Sequence, residues 1–415
     1  MDAATLGRAA RLSISEGDRR EELWQEYAAR TSDLVDELNV SQTARLASAF
    51  AVVRLRSFDL FARFSTRVMD CIQAKEDLPA PELRRLAVAF GRAQSFDTEL
   101  MEALVPLIVE RVEEFRPRQL VHIADAYSRM LVQSPELFAL VADALPPYLY
   151  DLEPAELAGL GRAFAEAAVY NEELTDALCS EVLGRLRTFG CLECLIFLEG
   201  LARLKDGLPE NMQRDDAEVV AAVAGQLSQT LGTLSAADLV RVFRAVVLLD
   251  HYDPRFVHNR LCSALAQKLG QLSDWNSFGY LADLLHCLSL LPSQSHKSAE
   301  LALATCAALR RDGVPRGRLE PHSLALAAAA VAQLGLEEEE LLAMLSAAVR
   351  GFEKSPDNSA TVAVSSAAVL GLASDDELED LRRAFKLCPG EAARLASEAI
   401  HEEQSKRNAE LARHQ

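Results

Sequence analysis

Between Leu83 and Phe164 the apolar positions repeat one figure three times: Leu83-Arg-Arg-Leu86-Ala-Val-Ala89-Phe90, Leu120-Val-His-Ile123-Ala-Asp-Ala126-Tyr127 and Leu157-Ala-Gly-Leu160-Gly-Arg-Ala163-Phe164. Phe90 to Tyr127 is 37 positions, and Tyr127 to Phe164 is 37 again. Apolar residues at i, i+3, i+4 and i+7 predict a helix with one buried face. A fixed period in the thirties predicts helix pairs that must stack, because no single pair covers its own apolar face. The second helix of each pair starts at Phe96-Asp-Thr-Glu-Leu100, Ser134-Pro-Glu-Leu137 and Asn171-Glu-Glu-Leu174. Each start sets a capping residue and early carboxylates before an apolar run, which satisfies orphan amides and suits the helix dipole. Proline or alanine after Arg116, Glu153 and Ser235 opens the first helix, where a missing N–H costs nothing.

The figure extends in both directions. Thr43 to Phe50 is an earlier copy, 40 positions before Phe90, with Lys75 to Pro81 as a small insertion. Later copies end at Leu201 and Val246, delayed by the polar insertion Lys205 to Asp216, and a seventh unit falls on Phe278 to Leu291. Further helices are expected at Ser323 to Leu334, Glu337 to Phe352, Thr361 to Leu372, Asp375 to Leu387 and Gly390 to Leu411, keeping the paired rhythm but losing the figure. No stretch alternates β-branched and polar residues as a strand does. The chain therefore reads as all-α, an α-solenoid of stacked antiparallel helix pairs with a period of about 37 residues. Its parts are 1–15, a targeting remnant or frayed lead; 16–42, an N-terminal capping helix; 43–311, the regular solenoid; and 319–415, irregular C-terminal repeats and cap. The loop Arg310 to Arg318 is the expected soft boundary.

Composition narrows the function. The net charge of -19 over 415 residues counts against wholesale polyanion binding, because a negative protein repels nucleic acid at long range, but it leaves room for a local basic stripe. No apolar run approaches the roughly 20 residues that span a bilayer, so no membrane insertion is expected. The 8 cysteines are scattered through apolar helical patterns, as buried reduced thiols are. The opening MDAATLGRAARLSIS carries Arg8, Arg11 and serines with one acid, which suits a short mitochondrial presequence as well as a helical lead-in.

The period of 37 with Leu-x-x-Leu-Ala-x-Ala-Phe in the first helix resembles the heptatricopeptide repeats of organellar proteins. It is similar in style to octotricopeptide repeats and to the helical repeats of Fas-activated serine/threonine kinase-like proteins. The resemblance covers Thr43 to Leu201 and fades by Leu272; the RAP domain that often follows such repeats is not visible. It implies a mitochondrial or plastid protein of RNA metabolism, with the subunits of divergent mitochondrial ribosomes among its settings. The alternatives are a protein-only adaptor of HEAT or armadillo kind, cytoplasmic or otherwise, and an accessory subunit of a mitochondrial complex.

Equivalent positions of stacked helices fall into rows. Two such rows hold Arg45, Arg85, His122, Arg162, Arg241 and Arg244, a cationic stripe interrupted by Asp125 and Glu199 and without stacking aromatics. Guanidinium groups suit RNA phosphates by bidentate contact; the bland reading is a solvated face of salt bridges. Arg310, Arg311, Arg316 and Arg318 make the boundary loop a second candidate phosphate clamp. Cys191-Leu-Glu-Cys194 lacks the further ligands of a zinc site and fills apolar positions, and Gly159-Leu-Gly161 lacks a preceding strand and fits a close approach of helices. No acid, base, nucleophile or metal set assembles. The expectation is a non-enzymatic scaffold in a mitochondrial matrix ribonucleoprotein, a ribosome or an RNA-processing assembly, that contacts RNA and neighbouring proteins and takes no cofactor or small-molecule substrate.

Overall fold

The computed structural model describes residues 2–55, 57–208, 216–316, 319–350, 370 and 373–414, and every regular element among them is helical. Contacts divide the chain into two units, Met1–Ala222 and Val223–Gln415. In the first unit the layer of first helices is α1 (Ala3–Ser15), α3 (Val40–Val52), α5 (Ala80–Ala93), α7 (Pro117–Arg129), α9 (Pro154–Glu166) and α11 (Cys191–Gly207), each packed on the next. The second layer is α2 (Glu21–Leu34), α4 (Phe58–Gln73), α6 (Thr98–Glu110), α8 (Pro135–Ala144) and α10 (Glu172–Arg185), likewise in sequence. α12 (Ala217–Leu227) crosses the division between the units.

The segment 1–15, expected as a frayed lead or targeting remnant, is an ordered helix whose partner is α2. Asp2 caps it by accepting from the Thr5 amide at 2.8 Å, and Leu6 and Ala10 are each 1% exposed. It is a further copy of the repeat. Ser13 lies 37 positions before Phe50, and the buried Leu6, Ala10 and Ser13 answer to the buried Thr43, Ala47 and Phe50. The turn that ends α1, α3, α7 and α9 fixes the register. The amide one residue beyond a left-handed position donates back to the carbonyl of the last key residue: Asp18 to Ser13 at 2.8 Å, Leu55 to Phe50 at 3.2 Å, Val132 to Tyr127 at 3.2 Å and Val169 to Phe164 at 3.0 Å. The left-handed residues are Gly17, Arg54, Leu131 and Ala168. Such a helix C-terminus satisfies orphan carbonyls, and only glycine takes that conformation cheaply.

Small residues let the first helices approach. A Cβ placed on Gly91 of α5 falls 2.7 Å from the Ala126 Cα of α7, and one on Gly200 of α11 falls 3.1 Å from the Gly161 carbonyl carbon of α9. Of the pair Gly159 and Gly161, Gly161 is the residue at the contact, since nothing lies within 4 Å of a Cβ at Gly159. Between the layers run edge-on aromatic contacts, Trp24 to Phe50 at 5.8 Å, Phe61 to Phe90 at 5.3 Å and Phe138 to Phe164 at 5.0 Å, a geometry favoured by ring quadrupoles. Tyr127 is fully buried and donates to the Met101 carbonyl at 2.8 Å.

In the second unit α13 (Ala236–Leu248), α15 (Ser277–Ser289), α18 (Pro321–Gln333) and α20 (Asp375–Leu387) form one layer. Facing it are α14 (Cys262–Lys268), entered through a π-helical turn Arg255–Leu261, then α16 (His296–Ala308), α19 (Glu339–Arg350) and α21 (Glu391–His414). The expected loss of the key figure in the helices from Ser323 onward is corrected. α18 carries it as Leu324-Ala-Leu-Ala327-Ala328-Ala-Ala330-Val331 and α20 as Leu378-Glu-Asp-Leu381-Arg-Arg-Ala384-Phe385, with the key positions buried. The left-handed turn recurs at Asp250 and Gly335, His251 donating to Val246 at 3.0 Å and Leu336 to Val331 at 3.2 Å. Alanine in place of the large residues is what hides α18. The helix expected at Thr361 to Leu372 lies outside the described residues, residue 370 excepted.

The expected loop Arg310 to Arg318 is also corrected, because the chain stays helical to Arg316. A π-helical turn Leu309–Gly313 runs into α17 (Val314–Arg316). Leu309, Gly313 and Val314 are buried, and a Cβ on Gly313 falls 3.3 Å from Leu281 of α15, so the turn is held under the first layer. Arg310 bridges Glu338 at 2.6 Å and Glu340 at 3.6 Å at the start of α19. Glu338 is mostly buried, so Arg310 acts as a bolt between two elements; Arg311 closes on the buried Asp312 at 2.6 Å. Arg318 and the Arg316 side chain lie outside the described residues.

Candidate nucleic-acid interface

The stacking of α1, α3, α5 and α7 sets arginines from four helices on one side of the first unit. α1 and α3 leave a hollow of about 230 Å³ lined by Arg8, Arg11, Gln42 and Arg45. It continues into one of about 260 Å³ lined by Arg11, Arg45, Ser48, Val52 and Arg85. Arg45 and Arg85 are thus brought together as their spacing predicts. Arg8 and Arg11 join them because they occupy the Arg45 and Ser48 positions one repeat earlier. That signal was present in the 37-residue offset but was obscured by Ala9, Leu12 and Ser13 standing for the usual Leu, Ala and Phe.

Farther along, Arg84, Arg116, Arg118, His122 and Asp151 line an open groove of about 570 Å³. Arg84 stands where other repeats bury Ala44, Val121 and Ala158. Its Nε is buried without a hydrogen-bond partner among the described residues, and burial, then neighbouring Arg85 and Arg92, push its pKa below the usual guanidinium value. Arg8, Arg11, Arg45, Arg84 and Arg92 have no carboxylate within salt-bridge distance among the described residues. Arg85 does: it holds the buried Glu82 at 2.8 Å, shared with the Ser41 hydroxyl at 2.8 Å.

Beyond α7 the same rows are neutralised. Asp125 sits between Arg129 at 2.8 Å and Arg162, its equivalent one position of 37 onward, and Glu166 sits between Arg162 and Arg203, each at 3.8 Å. Arg162, expected in the cationic stripe, is a link between α7 and α9. In the second unit Arg241 holds Asp238 at 2.8 Å and Arg244 holds Asp283 at 3.7 Å. Glu199 and Arg241 carry further interactions of their own. The cationic surface is therefore the α1–α7 end of the first unit.

His122 closes that end. Burial lowers its pKa below 6.5, with Arg84 and Arg92 acting in the same direction against the carboxylates of Glu156 and Asp125; Glu156 Oε1 lies 3.7 Å from Nε2. A histidine depressed in the fold takes up its proton in the unfolded chain first, so it supports the fold above pH about 6.5 and loses that support as pH falls. Denaturation of the native chain and a His122→Gln variant at pH 7.5 and 5.5 tests this. The margin of the native chain over the variant is expected to shrink at the lower pH.

Chemistry beyond charge is sparse. Cys194 is buried, its thiol pushed up to about 12 by burial, and all 8 cysteines are unbridged. Among the described residues no group of three or more His, Cys, Asp or Glu is placed to hold a metal ion, and no helix is long and apolar enough to cross a membrane.

A fold of stacked helix pairs with a cationic end defines an all-α helical-repeat protein. Residues 9–253 match the family described as RNA-editing substrate-binding complex 6 protein, and the chain belongs to that family. FAST kinase domain-containing protein 4 of Mus musculus is 22% identical over 191 residues, 46% of this chain and 30% of the relative, so the chain spans less than a third of that protein's length. A solved circular tandem repeat protein with novel repeat topology and enhanced subunit contact surfaces aligns over 99% of this chain and 96% of its own. Its identity is 16% and its TM-score 0.23.

Proposed function

We propose that the chain is a non-enzymatic helical-repeat scaffold of a mitochondrial RNA-processing ribonucleoprotein. It holds RNA phosphates along α1–α7 while its other faces hold neighbouring proteins. The observation that carries this reading is the group Arg8, Arg11, Arg45, Arg84 and Arg92, cationic side chains set together on stacked helices of an acidic chain without the carboxylates that neutralise the later rows. Guanidinium groups at such spacing satisfy phosphate oxygens without reading sequence. The family description, which names an RNA-editing substrate-binding complex, supports RNA processing over the ribosome as the assembly. The repeat style of the heptatricopeptide kind and the mouse relative fit the same setting.

Affinity for a 20-nucleotide RNA between 50 and 300 mM salt tests the reading. Each neutralised phosphate of a single strand contributes a slope of about 0.7 to the log–log plot, so four or five contacts give about -3. A flat plot, or no binding at 50 mM, overturns it.

A further inference from the structure

We infer that the hairpin tips α3–α4 and α5–α6 form a base-stacking platform for single-stranded RNA, with Phe58 and Phe96 taking unpaired bases and Arg54 and Arg92 the flanking phosphates. This rests on the RNA reading above and adds to it a site and a strandedness. Phe58 is 66% exposed and Phe96 54%, while Trp24, Phe50, Phe61, Phe64, Phe90 and Tyr127 of the same repeats are buried. Neither ring meets another ring among the described residues. Phe58 opens α4 and Phe96 stands two residues before α6, and α4 packs on α6, so both rings lie on the edge where second helices begin.

Arg54 has φ +57° and Phe96 φ +50°, a region that glycine takes without strain. Gly17, Leu131, Ala168 and Gly335 occupy the Arg54 slot in other hairpins, so the conformation serves the turn, and what sets Arg54 and Phe96 apart is an exposed cation and an exposed ring at the tips. At the equivalent slot of the second unit stands Asp250, approached by the Tyr252 hydroxyl at 3.3 Å, so the cationic tip is particular to the first unit.

The charge around the rings selects the ligand. Arg54 and Arg92 are exposed and have no carboxylate within salt-bridge distance among the described residues. Arg54 also lines a hollow of about 570 Å³ with Arg19, Glu21, Trp24, Gln25 and Ser57, beside Phe58, with Glu21 accepting from the Gln25 side-chain amide at 3.0 Å. The groove of Arg11 and Arg45 ends at Ile14 and Val52, the last turns of α1 and α3, so the phosphate path leads onto this edge. Of the nearby acids, Asp97 is engaged by the Leu100 amide at 3.0 Å, while Asp59 and Glu99 lie in the first turns of α4 and α6. Separate rings each beside a cation suit a strand that alternates bases and phosphates; a protein partner would instead meet a continuous apolar patch. A duplex offers no free base faces to such rings.

The test uses the full chain and fluorescence anisotropy with labelled oligoadenylate, an abasic strand of equal length and a duplex of equal length. Stacking on two rings is expected to make oligoadenylate bind at least about tenfold tighter than the abasic strand. Phe58→Ala with Phe96→Ala should bring oligoadenylate down to the abasic value and leave abasic binding unchanged, while Phe58→Tyr with Phe96→Tyr should keep the native value. Equal native affinity for oligoadenylate and abasic strand, for single strand and duplex, or for native and alanine chains overturns the platform but leaves phosphate binding standing. Failure of the native chain to bind any of the three removes both readings. Loss of a co-purifying protein from the alanine chain, with RNA affinity intact, reassigns the edge to a protein.

Discussion

Gly91→Ala is expected to destabilise the first unit by about 2 kcal/mol, although glycine to alanine inside a helix ordinarily gains about 1 kcal/mol. The reversal comes from the neighbour. A Cβ on Gly91 meets the Ala126 Cα at 2.7 Å, its Cβ at 2.8 Å and its carbonyl oxygen at 3.0 Å, and two of these are backbone atoms that cannot rotate aside. α5 and α7 must then separate, loosening the packing of Phe90 and Tyr127 on both sides of the contact. Gly159→Ala is the matched control. Nothing lies within 4 Å of its Cβ, so the ordinary propensity gain of roughly 0.5–1 kcal/mol should appear. Urea denaturation reads the two signs. Hydrogen exchange locates the first: in a stack where each pair touches only its neighbours, lost protection should concentrate in α5–α8. A Gly91→Ala chain as stable as the native one would mean that α5 and α7 do not approach this closely in solution.

The pattern of Leu, Ala and Phe is legible where burial demands large residues at every key position, as in α5, α7 and α9. It is not legible where small side chains do the same work. Ser13 takes the place of Phe50 in α1, and its hydroxyl lies 3.4 Å from that of Tyr27. In α18, Ala327 and Ala330 fill the key positions, so an apolar period remains but no distinctive residues do. The misread loop at Arg310 has a related cause. Its charges, glycine and proline suggest solvent, yet Arg310 is spent on Glu338 and Gly313 on close packing. Charge rows were legible as positions and not as electrostatics. Asp125 and Arg162 are 37 apart, so their meeting follows from the period alone, and a row cannot be judged cationic until its own neighbours are counted.

Reversing Arg8, Arg11 and Arg45 together to Glu is expected to lower RNA affinity by about 100-fold or more at 100 mM salt and to reduce the salt slope by about 2. Three cations are removed and three anions put in the same hollows, so the loss exceeds that of three missing contacts. The fold should barely notice. All three side chains are exposed, and none has a carboxylate within salt-bridge distance among the described residues, so stability should stay within about 0.5 kcal/mol. Arg162→Ala should behave in the opposite way. That side chain bridges Asp125 and Glu166, both partly buried, and its removal leaves Asp125 to Arg129 and Glu166 to Arg203 and breaks the link between α7 and α9. The expected cost is about 1 kcal/mol of stability with RNA affinity changed less than about twofold, since a guanidinium committed to two carboxylates has little charge left for a phosphate. If the triple reversal binds RNA with the native salt slope, the α1–α3 hollows carry no phosphate. If Arg162→Ala binds RNA as weakly as the triple reversal, the cationic path continues past α7, and the pairing with Asp125 opens when RNA arrives.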